Sequence, residues 1–485
     1  MKRVLVAYSA SSTHVPTTFE YLRALKELPD CDVKFVHCTN DARLNFDINQ
    51  FDVLINSYCA RLCYDWFLSP DYRQAVLSFR GLKIAIVQDD YDRTAALHRN
   101  IRQYGFHVVF TSIQSEFWPL AYPAIQVPGV VLRQLLTGYA PARHVERRIR
   151  PLEERSVPVG YRGRQLGAKY GKLGHEKYEI GRRMAELCDR LGQPHDIRTD
   201  DASRIYGEDW FTFIGDCRAM LGSESGCNAF DFDQEIEKRC DEFATRHGRA
   251  AEYSDFADFL EPFEKPFNVG QISPRVFECA SMKTPMILFR GRYSDAIKPD
   301  LHYIPLEKDF SNAQEVLTKL DNLEYLKGFA NRAHEHLIAS GIYSYRTLTS
   351  AIRTAIEEFY PQIASNRAIQ HWRSIQQPWV STHNPADPKT IALSEVPTDD
   401  PQPLSYFVEK QTRFSELLHQ SVGQETLHPI VTQQARPVRG GALSACLRPL
   451  RKAWHLIPTS VRYRVGPLLM RLARRALVPR PSPQG

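Results

Sequence analysis

Short apolar runs rich in β-branched residues alternate with helix-period stretches through the first 140 or so residues. Val4–Tyr8, Val33–Cys38, Val53–Tyr58, Ile84–Gln88 and Val108–Thr111 have the length and composition of buried strands. Thr17–Leu28 and Tyr91–Tyr104 lie between them as helical candidates. Such alternation predicts a doubly wound parallel sheet over residues 1–142. The turn Thr137-Gly-Tyr-Ala-Pro141 closes this unit, and the basic stretch Arg143–Arg155 reads as a connector.

The same alternation restarts at Val157 and predicts a second α/β domain over residues 156–340. The strand Val157–Tyr161 enters a loop with Gly160, Gly163, Gly167, Gly171 and Gly174. A helix follows with Tyr178, Ile180, Met184, Ala185, Leu187, Cys188 and Leu191 at helical spacing. Arg218–Leu221 reads as a strand ending in Gly222-Ser-Glu-Ser-Gly226, and residues 228–262 as helices rich in aromatics and acids. Ser273 and Pro274 have the preferred chemistry for opening a helix, Lys-Thr-Pro stops it, and Met286–Phe289 then reads as a buried strand. His302–Leu306 is a further strand, and residues 313–360 read as helical with Gly341 as a break. Residues 361–435 are richer in Pro, Gln, Thr and Ser, as in a linker.

Charge changes this picture at one end only. The chain of 485 residues carries a net +6, yet Thr426–Gly485 holds eleven Lys and Arg and no acid, leaving 6 − 11 = −5 for residues 1–425. Within residues 436–485, the span 447–477 mixes Arg with Leu, Trp, Met and Val at amphipathic spacing, which suits an anionic membrane surface. Docking onto a protein partner is the alternative. Nothing elsewhere interleaves basic and aromatic residues as a nucleic-acid surface does. Ten scattered cysteines without metal spacing fit free thiols in a reducing compartment, and no run has transmembrane length. The expectation is a cytoplasmic protein, peripheral on the inner face of the membrane.

Several residues carry candidate chemistry. The end of the helix opened by Ser273 is a natural anion site, with Arg275 beside it and Glu278 one turn further, within reach of ribose hydroxyls. Glu278 equally fits the surface of an amphipathic helix. Arg162, Arg164 and Lys172 in the glycine-spaced loop suit phosphate oxygens, or form a solvated basic loop. Glu224 in the Gly222–Gly226 turn follows a strand end and is placed to touch a ligand there, or simply belongs to a turn. Asp89 and Asp90 follow a strand end, where one would serve as general base and either would serve as helix cap. His14, in the loop after the first strand, is tunable near neutral pH, or is simply a solvated loop histidine. No Asp-x-Asp stands where a metal-dependent site would need one, and no His or Cys cluster has zinc spacing, so the expected chemistry is metal-independent and without a cofactor.

The segment Arg275-Val-Phe-Glu-Cys-Ala-Ser-Met-Lys-Thr-Pro-Met-Ile287 resembles the Arg-Val-Phe-Glu-Ala-Met-Ala-x-Gly-Thr-Pro-Val-Ile pattern of glycosyltransferases built from two Rossmann-like domains, the GT-B architecture. It is most similar to the group 1 and spore-maturation-protein branches. The resemblance implies two such domains facing a cleft, the second holding a nucleotide-sugar through Glu278 and an arginine matched by Arg162 or Arg164. The first would take a glycan or lipid-linked acceptor, as in making an envelope polysaccharide or glycoprotein, with His14 as base if configuration inverts and residues 341–360 as a helix crossing back to it. Many members carry another glutamate eight residues before the first, where this chain has Gly270. A sugar-nucleotide epimerase or hydrolase of the same fold, or a non-enzymatic envelope scaffold, remain alternatives.

Overall fold

The computed structural model describes residues 1–12, 15–39, 42–44, 46–141, 147–365 and 390–391. Two parallel sheets organise it. The first has six strands in the order Cys31–His37, Lys2–Tyr8, Val53–Asn56, Leu82–Val87, Val108–Thr111 and Val131–Gln134. The second has five, in the order Ile304–Leu306, Met286–Phe289, Cys217–Gly222, Val157–Arg162 and Asp196–Arg198. Every pairing within these two sheets is parallel. In each sheet the first strand of the unit has neighbours on both sides, so successive connections wind in opposite directions from it. Helices cover both faces, and central strands such as Val53–Asn56, Val108–Thr111 and Met286–Phe289 are accordingly buried along their whole length.

Two apolar clusters sandwich the first sheet. One is completed by the helix Tyr345–Ala364, whose Leu348, Ile352, Ala355 and Ile356 lie among Val4, Val6, Leu22, Ile55 and Ile84. Burying a Leu or Ile side chain stabilises by roughly 1.5–3 kcal/mol each. Tyr360 adds a hydrogen bond to Asp52 at 3.0 Å, so the last described helix is anchored on the first domain. The other cluster runs from the first sheet into the second domain through Ala168, Cys227, Phe230, Ile236, Leu260 and Phe267. Phe230 stacks on Phe267 at 3.9 Å between ring centres. Residues 228–262 therefore do more than supply helices: they carry a core shared by both domains.

Backbone bonds reinforce that junction. The amides of Thr94 and Ala95, which open the helix Thr94–Tyr104, donate to the carbonyls of Asp231 and Phe232. Arg93, at φ 52°, precedes them and pairs with Glu237 at 2.6 Å. The helix thus starts three residues later than the periodicity predicts, because the second domain caps it. All nine cysteines among the described residues are free thiols. No helix among the described residues is long and apolar enough to cross a membrane. The span 447–477 and the rest of residues 392–485 lie outside the described residues, as does His14.

Candidate functional site

Where neighbouring strands connect in opposite directions, their C-terminal ends leave a crevice, the usual ligand position in doubly wound sheets. In the second domain it lies between the ends of Val157–Arg162 and Cys217–Gly222. The loop Gly163–Tyr170 and the turn Ser223–Gly226 form its rim, and the helix Gly171–Leu191 its wall.

Three cations gather there. Lys177 is half-buried, donates to Ser225 Oγ at 3.2 Å, and is pulled down to about 8 by burial and by the charges of Arg275 and Arg164, with Asp89 acting the other way. Arg275 lies over the rings of Tyr161 and Trp210, at 4.8 and 5.3 Å, and donates to the carbonyl of Arg162 at 2.5 Å. Arg164 is half-buried and, among the described residues, has neither hydrogen bond nor ion pair. None of the three has a carboxylate within ion-pair distance among the described residues. Half-buried cations in mutual repulsion without an acid partner make a site for an external anion.

The other basic candidates are engaged elsewhere. Arg162 pairs with Asp196 at 2.7 Å and lies 4.1 Å over the Phe213 ring, so its guanidinium holds the sheet edge. Lys172 is exposed, and its backbone amide donates to Glu264. Lys177 stands in the place expected of Lys172, further along the same helix. A lysine four residues after Leu173 and three before Ile180 interrupts an apolar stripe, which is a legible signal.

Glu278 sits half-buried on the helix Pro274–Ser281, and its Oε2 accepts the indole N–H of Trp210 at 2.7 Å. Burial pushes its carboxyl up, while the Trp210 N–H and the charges of Arg275 and Arg147 oppose that. Ser273 caps this helix, accepting from the Arg275 amide at 3.3 Å. The first domain packs beside this end: Thr137 donates to the carbonyl of Ile272, and a Cβ on Gly138 would lie 2.9 Å from Pro274 Cγ.

Glu224 is buried, and its carboxylate lies between Gly270 and Gly291, where added Cβ atoms would overlap it. Its Oε1 accepts the Arg292 amide at 2.6 Å, and Lys308 bridges it at 3.6 Å to Glu176 at 2.9 Å. Gly222-Ser-Glu-Ser-Gly226 is therefore a turn with a carboxylate directed inward, not outward.

Across the crevice, Asp89 remains half-exposed, with Arg61 at 3.0 Å, and its charge reaches Lys177. Asp90 departs from the expectation of a base. It is fully buried, accepts from Thr111 at 2.5 Å and from Tyr122, and burial raises it to about 6. It fastens two strand ends and meets no solvent. Asp92, not singled out from the sequence, takes Arg61 at 3.0 Å, Tyr64 at 2.6 Å and, from the second domain, Lys169 at 3.7 Å. Gln271 to Ser112 at 2.7 Å and Arg292 to Glu116 at 2.7 Å also join the domains.

No family model and no curated protein matches the chain. Among solved structures it is similar to an alpha-glucosyltransferase in complex with UDP and a 13-mer DNA containing an HMU base, at 9% identity and TM-score 0.45, covering 73% of this chain and 99% of that one. T4 phage BGT in complex with UDP-glucose gives 10% identity and TM-score 0.41, covering 74% and 99%. Anabaena Alr3699/HepE in complex with UDP and glucose gives 10% identity and TM-score 0.39, covering 74% and 100%.

Proposed function

We propose that the protein is a glycosyltransferase that takes a nucleotide-sugar into the crevice of its second domain and transfers the sugar to an acceptor entering from the first. The observation that carries this reading is the set of three unpaired cations, Arg164, Lys177 and Arg275, at the strand-order reversal of a doubly wound sheet. A diphosphate matches their charge. Glu278, on the far side of Arg275, suits the ribose hydroxyls. As the sugar departs, negative charge grows on the diphosphate, and fixed cations in a half-buried site stabilise it more in the transition state than before.

Asp89 faces Lys177 from the first domain and is the exposed carboxylate of the pair Asp89–Asp90. It is the acceptor-side residue in this reading. The acceptor proposed is a glycan or lipid-linked saccharide, with residues 447–477 bringing the enzyme to an anionic cytoplasmic membrane face. The resemblance of the Glu278 segment supports transfer over epimerisation or hydrolysis.

The test is the melting temperature of the full chain against UDP-, GDP-, ADP- and dTDP-sugars, beside Lys177→Ala. A ligand that binds only the native state raises it. A shift with one nucleotide, reduced in Lys177→Ala, is the expected result. No shift with any donor at concentrations near millimolar would overturn the reading.

A further inference from the structure

Residues 117–132 contain no charged side chain, although charged residues make up 24% of the whole sequence. The run lies at the surface. Leu120 is 47% exposed and Ile125 82%, and among the described residues only Met1 has a more exposed large apolar side chain. Pro119, Ala124 and Pro128 are exposed beside them, and Trp118 and Val130 partly so. Polar groups in the run are turned inward or bonded to neighbours. The Trp118 indole donates to the Ile113 carbonyl at 2.9 Å, and the Tyr122 hydroxyl donates to Asp90. The amide of Tyr122 donates to the Trp118 carbonyl at 2.7 Å and that of Gln126 to the Pro123 carbonyl at 2.8 Å, while the prolines have no N–H. Among its side chains, only that of Gln126 is both polar and exposed.

A protein partner meets a surface with roughly one hydrogen bond per 100–200 Å², and side chains here offer almost none. A bilayer requires the opposite: apolar side chains outside and polar groups satisfied within the segment. The charge of the chain complements the same partner. Residues 426–485 hold eleven Lys and Arg and no acid, which suits anionic lipid, and stable anchoring takes two signals rather than one. We propose that residues 117–132 are a membrane-contact surface that places Leu120, Ile125 and the Trp118 ring in the headgroup layer of a lipid bilayer. An indole with its N–H already satisfied is suited to that level. The run begins at the domain junction, where Phe117 lies 6.3 Å from Phe267 and Glu116 pairs with Arg292 at 2.7 Å. The strand before it, Val108–Thr111, pairs with Leu82–Val87, which leads to Asp89. A bilayer held here lies against the domain assigned to the acceptor. That consequence rests on the transferase reading; the contact itself does not.

The experiment is co-sedimentation of the full chain with phosphatidylcholine vesicles, with and without phosphatidylglycerol, at low and high salt. Wild type is compared with the double variant Leu120→Gln, Ile125→Gln and with Ile125→Phe. Both positions are exposed, so the variants should melt with wild type, which reports folding separately. Neutral replacements leave the charge of the tail as it is, and high salt screens that charge without weakening apolar contact. At high salt the double variant should bind roughly tenfold or more weakly than wild type, because two apolar side chains are withdrawn from the membrane. Ile125→Phe should bind as wild type does. Vesicles with brominated acyl chains should quench tryptophan fluorescence, and less so in Trp118→Phe. Equal binding of wild type and the double variant at high salt, or no binding by wild type at any salt, would overturn the proposal. Quenching unchanged in Trp118→Phe would do the same, by placing the lipid contact elsewhere. Self-association that the double variant abolishes, with no vesicle binding, would make this face an interface between copies of the chain instead. Vesicle binding is read without donor. A protein that binds vesicles but no nucleotide-sugar would keep the membrane contact and lose the transferase reading; one that binds donor but no vesicles would do the reverse.

Discussion

The carboxylate of Glu224 occupies the space that a side chain at position 270 would need. A Cβ added to Gly270 would overlap Glu224 Oε1, and on the opposite side one added to Gly291 would overlap the same group. Two glycines from separate loops thus form a slot, and the turn after Cys217–Gly222 fills it with an acid. The resemblance marks Gly270 as the place of a missing glutamate. The structure brings a carboxylate to that place from a different part of the chain.

Gly270→Ala should therefore lower stability by about 1–3 kcal/mol through overpacking, since the Arg292 amide and Lys308 restrain the retreat of Glu224. Glu224→Ala removes the obstruction. In urea denaturation the double variant should lose less than the two single losses combined, a coupling of the kind contacting residues show. Additive losses would mean that the two positions do not compete for one space.

Lys177 gives a pH prediction for binding. Its ammonium is pulled down to about 8, so it is charged below that pH and neutral above it. A bound diphosphate favours the charged form. Donor affinity should weaken as pH rises through about 8, and above that pH binding should take up a proton. Calorimetry in two buffers of different ionisation enthalpy measures that uptake. Lys177→Met should bind roughly tenfold or more weakly below pH 8 and show no uptake.

Much of the architecture was legible because buried parallel strands are apolar on both faces. Val108–Thr111 and Met286–Phe289 coincide with observed strands. Val131–Gln134 and Asp196–Arg198 were not seen; they lie at sheet edges, are short, and are only partly buried, so their polar residues break the apolar run. The site was legible by region more than by residue. Arg275 and Arg164 lie in the crevice, but nothing in the local sequence pairs Arg162 with Asp196 or Trp210 with Glu278. Those partners are 34 and 68 residues apart and meet only through the sheet order.

Asp90 shows how a buried acid reports on stability. Its carboxyl rises from the ordinary aspartate value of 3.8 to about 6, so the folded state binds this proton more tightly than the unfolded chain does. The stabilisation is fully present below pH 3.8 and is lost as pH climbs through about 6. A shift of this size corresponds to on the order of 3 kcal/mol. Asp90→Asn stays neutral throughout, so this part of the slope should vanish from its urea stability profile between those pH values. A profile parallel to wild type would show that Asp90 does not titrate there.

The pair Arg93–Glu237 locks the two domains where they share a core. Its groups lie 2.6 Å apart with side chains only 8% and 6% exposed, and Arg93 also lies over Tyr64 and Trp66 at 5.0 and 4.5 Å. Taking away one member of a buried pair leaves the other charge without compensation, which costs about 3–5 kcal/mol. Glu237→Ala should therefore destabilise by that order. Arg93→Met with Glu237→Leu should recover most of the loss, since an apolar pair of similar volume avoids desolvating either charge. Donor affinity should fall with Glu237→Ala if the first domain must stay docked beside the Pro274–Ser281 helix. Stability curves and donor titrations of the three proteins separate the two effects. A Glu237→Ala protein as stable as wild type would mean that the shared apolar core alone holds the domains together.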